Sequence, residues 1–318
     1  MNDMPTIRTS TEEGAFPAGL PISRRPLIMG ILNLTPESFS DGGRFFSAGG
    51  IDASAVAAAA LEMAKAGADI IDMGAEATSF HRDGVVPVQP AEQILRLSDA
   101  LKQTRRLLND HGFGTVAISV DTRSSAVAGA ALDSGAAMIN DVSGGRHDPG
   151  MLTLAAQARC PIILMHAWPE SPDRPPQPRV DIVSDLIDEL RQIKAAALAA
   201  GIRTENVILD PGIGFGKAPE DNWQILRQLG DLAALDSPLA VGFSRKRITR
   251  DLLPPDRHDW QHRDIASAVL LAAVHHPSVL IYRVHDVFLT ALVRAALQQT
   301  KGSRLNNIGC PPRRTRRS

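Results

Sequence analysis

Residues 28–43 read IMGILNLTPESFSDGG, and this stretch determines how the rest of the chain is interpreted. It begins as an apolar run typical of a buried strand, turns polar at Asn33, and continues through Pro36 and two glycines, which indicate an irregular loop. In a parallel sheet, polar residues that directly follow the carboxyl ends of strands line the ligand pocket. The stretch therefore predicts a strand that delivers Asn33 to a site, provided that strands and helices alternate after it.

Strand-like and helix-like segments do alternate after this stretch. Ile51–Gly67 is alanine-rich with helical spacing and ends at a capping glycine, and the β-branched run Asp69–Gly74 follows it. Further strands are expected at 115–121, 137–141, 161–166, 207–210, 239–242 and 279–284, and further helices at 91–111, 124–134, 149–158, 181–200, 220–229, 265–275 and 287–300. Eight consecutive βα units predict a single-domain α/β fold, a closed (β/α)8 TIM barrel over residues 26–300.

An open, doubly wound sheet is the alternative, and the glycine patterns disfavour it. No dinucleotide fingerprint follows the first strand, and no second domain remains to be assigned. Residues 210–217, DPGIGFGK, resemble a nucleotide loop, but Pro211 stands where a P-loop needs its first glycine and Ala218 where it needs Ser or Thr. We interpret these glycines as allowing close backbone approach to a ligand, with Phe215 either a stacking face or a core residue.

Composition sets the broad class of the protein. The 318 residues are 44% hydrophobic with a net charge of −1, which gives no general attraction to nucleic acid or an anionic membrane. The two cysteines have neither disulfide nor metal-ligand spacing, and no signal peptide or membrane span is recognised, so a cytoplasmic location is expected. Residues 1–25 are expected to be a flexible tail. Residues 301–318 are expected to be a basic, disordered tail rather than a nucleic-acid-binding arm.

The polar residues at the strand ends are interpreted together because they converge on one face of a barrel. Any one Asp or Asn could serve as a turn former or helix cap, but that explanation weakens when it must hold for all eight strands. The set comprises Asn33, Asp72, Asp121, Asn140, Asp141, His166, Asp210, Ser244, Arg245, Lys246, Arg283 and His285.

The chemistry of this set divides by strand. Asp121, Asn140 and Asp210 supply the acceptors and the amide that suit the edge of a flat heterocycle with ring N–H, amino and carbonyl groups. The cations near the last two strands suit phosphate or diphosphate: Lys246, Arg245, Arg283 and His285. His166, after the fifth strand, is either a structural hydrogen-bonding residue or a ligand contact.

With these residues placed, the chain resembles the dihydropteroate synthase family over residues 26–300. Six motifs carry the resemblance in order: residues 29–43, 119–122, 139–141, 209–217, 242–246 and 283–286. The resemblance implies a transferase that joins a dihydropterin hydroxymethyl diphosphate to p-aminobenzoate, releases diphosphate, uses Mg²⁺ and is a homodimer.

The resemblance also implies roles for single residues. Asp121, Asn140, Asp210 and Lys246 would hold the pterin. Asn33 would coordinate Mg²⁺ on the diphosphate, and Arg283 and His285 would clamp the same group. Thr78 and Ser244 would lie near the p-aminobenzoate path, and Phe215 and Val284 complete the expected substrate contacts. The residues expected to act in catalysis are Lys246, Arg283 and His285.

The chain departs from the family pattern after Thr78. The family usually continues with Arg and Pro, whereas this chain has Ser79 and Phe80, and Arg82 is the candidate replacement for the lost guanidinium. The departure keeps a second interpretation open, a catalytically silent or altered-specificity paralogue that binds pterin. A third interpretation, the pterin-binding barrel of a corrinoid-linked methyltransferase, is disfavoured because it has no use for a diphosphate clamp.

Overall fold

The computed structural model describes residues 20, 26–35, 45–47, 50–76, 87–169 and 176–302. Eight strands in this part of the chain form a closed parallel barrel. They are β1 (Leu27–Asn33), β2 (Ile70–Gly74), β3 (Ala117–Asp121), β4 (Met138–Asp141), β5 (Ile162–Met165), β6 (Val207–Asp210), β7 (Leu239–Val241) and β8 (Val279–Val284). Each strand pairs with the strands that precede and follow it in the chain, and β8 pairs with β1 to close the barrel. The predicted (β/α)8 fold is confirmed.

The helices surround the barrel and follow the strands in the predicted order. They are α1 (Ala53–Ala66), α2 (Pro90–Asp110), α3 (Ser125–Asp133), α4 (Met151–Ala158), α5 (Ile182–Ala199), α6 (Pro219–Arg227), α7 (Trp260–Val274) and α8 (Val287–Gly302). A short antiparallel pair, Phe46–Ser47 with Gly50–Ile51, precedes α1, and a short helix, Arg247–Arg250, lies between β7 and α7.

Local sequence signals set several helix ends. Asp52 begins α1 by accepting hydrogen bonds from the backbone N–H groups of Ser54 and Ala55, and Gly67 ends it in the left-handed conformation with φ of 106°. Asp181 and Asp259 cap α5 and α7 in the same way as Asp52 caps α1. These caps orient the helices on the barrel wall.

The interior of the barrel has two layers of different chemistry. Because side chains alternate along a strand, every second residue faces the barrel axis. The layer toward the amino-terminal ends of the strands is apolar and consists of Leu27, Met29, Ile70, Ala117, Met138, Ile163, Ile208, Ala240 and Ile281. Two positions further along the strands the inward residues include Asp72, Ser119, Asn140, Asp210 and Arg283. The carboxyl end of the barrel, here called the mouth, is therefore polar.

Most of both predicted tails lies outside the described residues. Within 1–25 the described residue is Leu20, which is 7% exposed and packs in the apolar interior layer. At the other end α8 continues to Gly302, two residues past the predicted end of the barrel. Among the helices of the described ranges, none combines the length and apolar character needed to cross a membrane.

Candidate active site

Arg283 joins two carboxylates of neighbouring strands at the mouth. Its Nε donates to Asp72 Oδ2 at 2.7 Å, and its Nη2 donates to Asp121 Oδ2 at 2.6 Å. Asn140 Nδ2 donates to the same oxygen of Asp72 at 3.0 Å. The predicted diphosphate cation and two of the predicted pterin-binding residues thus lie in one hydrogen-bonded cluster. The hypothesis of one site for the pterin and the diphosphate requires these residues to lie close together.

Charge in this cluster is not balanced one to one. One guanidinium serves two carboxylates, and burial raises the pKa of Asp121 to about 7, with Arg283 opposing the shift and Asp72 adding to it. Within the described residues, the buried atoms Asp72 Oδ1 and Ser119 Oγ, which lie on paired positions of β2 and β3, have no hydrogen-bond partner. Unpaired buried acceptors of this kind are available to the N–H groups of a ligand.

Asp210 and Lys246 form the second charged group of the mouth. Asp210 Oδ1 accepts from the Gly212 backbone N–H at 2.6 Å, and Lys246 Nζ donates to the carbonyl oxygen of Ile213 at 2.7 Å. Burial raises the pKa of Asp210, with Lys246 the main opposing charge. Burial lowers the pKa of Lys246 to about 8, with Asp210 opposing. The two groups therefore stabilise each other's charged forms.

Ser244 and His285 are hydrogen-bonded across β7 and β8. The His285 backbone N–H donates to Ser244 Oγ at 3.2 Å, and Ser244 Oγ lies 3.1 Å from His285 Nδ1. The donor in the contact between Ser244 Oγ and Nδ1 depends on the tautomer of the ring, because the hydroxyl has a second lone pair. Burial, with the neighbouring cations, lowers the pKa of His285 well below its usual value. His285 is therefore a neutral imidazole.

Arg245 is paired with Asp264 and is not available to clamp an anion, contrary to the sequence interpretation, although its charge helps to lower the pKa of His285. Its Nε and Nη2 donate to Asp264 of α7 at 2.8 and 2.7 Å, and its guanidinium lies 5.6 Å from the Trp260 ring centroid. The reason is backbone geometry. Arg245 has φ of 59°, which turns its side chain away from those of Ser244 and Lys246.

Phe215 and Val284, both predicted to contact substrate, lie in different environments. Phe215 is half-buried, and Lys246 Nζ lies 4.4 Å from its ring centroid, which places the ring at the mouth and favours the stacking interpretation. Val284 is 4% exposed and packs between the strands and the helices. Its side chain faces outward because Arg283 and His285, on either side of it, face the barrel interior, and the substrate contact assigned to Val284 stays a prediction.

Asn33 and Thr78 lie at the edge of what the structure describes. Asn33 ends β1, is half-buried and pairs with Gly74 of β2. Thr78, Ser79, Phe80 and Arg82 lie outside the described residues. The described chain ends before them at Glu76, which accepts from Arg123 Nε at 3.0 Å and from Nη2 at 3.3 Å.

A buried cluster beneath the mouth was not predicted. His166 is fully buried, with Nε2 2.9 Å from Glu189 Oε2 and Nδ1 3.1 Å from Lys217 Nζ. The structure thus gives His166 the structural role that the sequence left open. Lys217 was missed because it follows a loop that fails both nucleotide motifs, and its nearest partners include backbone carbonyls, which carry no sequence signal.

Comparison with known proteins gives one consistent answer. The family model described as "Pterin binding enzyme" matches residues 29–285. The dihydropteroate synthase of Bacillus subtilis is 36% identical over 274 residues, covering 85% of this chain and 87% of its own length. That of Mycobacterium leprae is 38% identical over 273 residues, covering 82% of this chain and 88% of its own.

Solved structures agree with these relatives. The Xanthomonas albilineans dihydropteroate synthase with 4-aminobenzoic acid superposes with a TM-score of 0.74 and 35% identity, over 87% of this chain and 93% of that chain. The Yersinia pestis dihydropteroate synthase in a sulfonamide drug complex gives a TM-score of 0.78 and 32% identity, over 91% and 99%. The chain belongs to the dihydropteroate synthase family of pterin-binding enzymes.

Proposed function

We propose that this chain condenses 6-hydroxymethyl-7,8-dihydropterin diphosphate with p-aminobenzoate, giving 7,8-dihydropteroate and diphosphate in folate biosynthesis. The observation that carries the proposal is the arrangement of the mouth. Carboxylates and an amide suited to a heterocycle edge lie within hydrogen-bond distance of the cation expected at the diphosphate. One site can therefore hold the ring and the leaving group together.

The pterin is held by the inward residues of β3, β4 and β6. The carboxylates of Asp121 and Asp210 accept from the amino and ring N–H groups, and Asn140 can both donate and accept. Lys246, opposite Asp210, donates to an acceptor on the ring. The unpaired Asp72 Oδ1 lies in the same layer and offers a further acceptor directly or through water.

The reaction breaks the bond between the pterin methylene carbon and the diphosphate oxygen, and forms a bond from that carbon to the nitrogen of p-aminobenzoate. Positive charge develops on the methylene and negative charge on diphosphate, so fixed donors at the departing oxygens lower the barrier. Arg283, held in place by two carboxylates, supplies them, and His285 supplies another in the tautomer that carries the ring proton on Nε2. The amine is weakly basic and attacks in its neutral form, and the proton that it loses after bond formation passes to the released diphosphate or to water.

Mg²⁺ fits the donor set as an ion shared with the substrate. In the described residues no group of three or more His, Cys, Asp or Glu side chains is placed to hold a metal. Mg²⁺ commonly binds one or two protein oxygens together with substrate phosphates and water. The amide oxygen of Asn33 is such a ligand, and the ion when bound supplies positive charge to the leaving oxygens.

Charge balance also favours a substrate-borne cation. The cations at the mouth, Arg283 and Lys246, already face the buried carboxylates of Asp72, Asp121 and Asp210. A diphosphate that enters this site is not neutralised by the protein alone. We therefore expect the Kd for the pterin diphosphate to rise when Mg²⁺ is removed with EDTA, and the Kd for a pterin that lacks phosphate to stay unchanged.

A purified-protein assay tests the proposal. Diphosphate release that depends on p-aminobenzoate is the expected result, and Asp210→Asn should lower kcat/KM by about 100-fold because one acceptor for the ring is lost. Asp110→Asn on the exposed end of α2 is the matched control and should leave kcat/KM unchanged. Binding of the pterin diphosphate without turnover would instead establish the silent paralogue.

The proposal includes a homodimer formed through α7 and α8. These helices are adjacent, and their solvent-facing sides carry Ile265, Val269, Phe288 and Leu292, each more than half exposed. Apolar side chains grouped in this way mark interaction surfaces. Sedimentation at micromolar protein should give the mass of two chains, and Val269→Asp combined with Leu292→Asp should give the mass of one.

Sulfonamides and the segment after Thr78 belong to the same proposal. Compounds that mimic p-aminobenzoate should inhibit competitively against it.

If Arg82 replaces the usual loop arginine, Arg82→Ala should lower kcat/KM about tenfold, because one charge-assisted contact to diphosphate is lost. Unchanged kinetics in Arg82→Ala would remove the support for this replacement.

A cytoplasmic location completes the proposal. Cys160 is buried and is not part of a disulfide in the described residues. A free thiol in an apolar setting is compatible with a reducing compartment. Fractionation of cells that produce the chain should recover the activity in the cytosol.

A further inference from the structure

Lys217 is a buried cation to which the proposed reaction gives no direct role. It is 6% exposed. Its Nζ lies 3.0 Å from the Gly212 carbonyl oxygen, 3.2 Å from that of Phe215, 3.3 Å from that of His166 and 3.1 Å from His166 Nδ1. An ammonium has three protons and no acceptor, so these four acceptors use all of its hydrogen-bonding capacity.

The protonation of His166 fixes the direction of these bonds. Glu189 Oε2 lies 2.9 Å from His166 Nε2, and Oε1 accepts from Trp168 Nε1 at 2.7 Å. An ionised carboxylate can only accept, so Nε2 carries the ring proton and Nδ1 presents its lone pair to Lys217. Burial and the Lys217 charge lower the pKa of His166 to about 4, which keeps the ring neutral.

Lys217 connects two loops that touch through their backbones. Gly212 has φ of 64°, and a Cβ there would lie 1.8 Å from the carbonyl oxygen of His166. Gly216 has φ of 62°, and a Cβ there would lie 2.2 Å from the carbonyl oxygen of Trp168. The loop after β6 therefore lies directly on the chain that leaves β5, and the ammonium bonds carbonyls of both.

We infer that Lys217 is a positioning residue whose ammonium fixes the 210–217 loop on the segment after β5 and so sets the place of Phe215 at the mouth. The substrates named in its test rest on the proposed function. Lys217 bonds the Phe215 carbonyl directly, whereas Asp210 is also held by the Gly212 N–H and faces the charge of Lys246. Loss of the ammonium should therefore displace Phe215 more than Asp210.

Kinetics of Lys217→Met provide the first test. The variant keeps the apolar stem and removes the ammonium, and it should raise the KM of one substrate, the one that packs on Phe215, about tenfold because that ring is displaced. The KM of the other substrate should rise less than about threefold. Equal rises in both KM values, or a fall in kcat alone, would contradict the inference.

Lys194→Met is the matched control. Lys194 Nζ also donates to two backbone carbonyls, those of Leu235 at 2.8 Å and Asp236 at 2.6 Å, in the segment that precedes β7. This variant removes the same chemistry away from the mouth. It should change neither KM.

A measurement on the ligand-free protein separates the inference from the proposed function. Hydrogen–deuterium exchange of the amides of 212–216 should be faster in Lys217→Met and unchanged in Lys194→Met, whether or not the chain has synthase activity. If a folded Lys217→Met shows wild-type exchange, the inference is wrong. If the variant does not fold, ¹⁵N NMR of the wild-type histidines decides: His166 should be the neutral Nε2–H tautomer, and an Nδ1–H tautomer would overturn the inference.

Discussion

Two buried aspartates three positions apart, Asp69 and Asp72, pair with arginines from the end of the chain in different ways. Asp69 directly precedes β2 at the amino-terminal end of the barrel and pairs with Arg294 of α8. Asp69 Oδ2 also accepts from the Ile28 backbone N–H at 2.9 Å, and Arg294 Nη2 donates to the Gly67 carbonyl oxygen at 3.0 Å. This pair joins the last helix to the first strands.

The Asp72–Arg283 pair at the mouth has fewer of its hydrogen bonds satisfied. Asp72, within β2, shares Arg283 with Asp121, and its Oδ1 has no hydrogen-bond partner in the described part of the chain. An uncompensated carboxylate and an unpaired buried oxygen reduce the stability of a folded protein. The same groups are available to a ligand that carries N–H donors, so we assign the first pair to folding and the second to binding.

The largest expected effect is on activity at the mouth. Asp121→Asn removes one of the two carboxylates that share Arg283, and its amide oxygen can still accept from Nη2. We expect kcat/KM to fall about 100- to 1000-fold because an acceptor for the pterin is lost. The free energy of unfolding at neutral pH should be equal to or above that of the wild type, because the remaining Asp72–Arg283 pair is balanced. A variant that is both inactive and clearly less stable would break the distinction between the two pairs.

The corresponding substitution at the amino-terminal end of the barrel should lower stability and leave activity nearly unchanged. Asp69→Asn removes the carboxylate charge that pairs with the Arg294 guanidinium, whose side chain is 8% exposed. We expect the free energy of unfolding to fall by about 3 kcal/mol, measured by urea titration. The kcat/KM of the folded enzyme should stay within about twofold of the wild type, since Asp69 is not part of the mouth. The exposed Asp110→Asn variant is the control, and a large loss of kcat/KM in Asp69→Asn would contradict the assignment.

The sequence was sufficient for the architecture because alternation of strand and helix signals is a local property. The same alternation placed Asp121, Asn140 and Asp210 at the mouth, since polar residues that end parallel strands converge there. The two-residue period of a strand also places the Val284 side chain outward, since its neighbours at 283 and 285 face inward.

Partner choice among buried charges could not be predicted from the sequence. Arg283, near the end of β8, and Arg245, after β7, were both assigned to an anion. Arg283 lies against Asp72 and Asp121, which are distant in sequence, and Arg245 turns to Asp264 because of a left-handed backbone that no residue pattern indicated. Lys217 was equally hidden, since three of its four acceptors are backbone carbonyls. Which partner a buried charge pairs with depends on which atoms lie within hydrogen-bond distance in the folded barrel.

The smallest expected effect is a pH dependence of stability that belongs to the mouth. Burial raises the pKa of Asp121 from 3.8 to about 7, so between these values the folded protein binds more protons than the unfolded chain. Its contribution to the free energy of unfolding therefore falls as pH rises through this window. Asp121→Asn cannot bind this proton, so its stability relative to the wild type should increase by about 2 kcal/mol between about pH 5 and pH 7.5. Urea titrations of both proteins at the two pH values measure the difference. If the stabilities of the two proteins changed in parallel, Asp121 would be ionised throughout this pH range, and its charge would be as well compensated as that of Asp69.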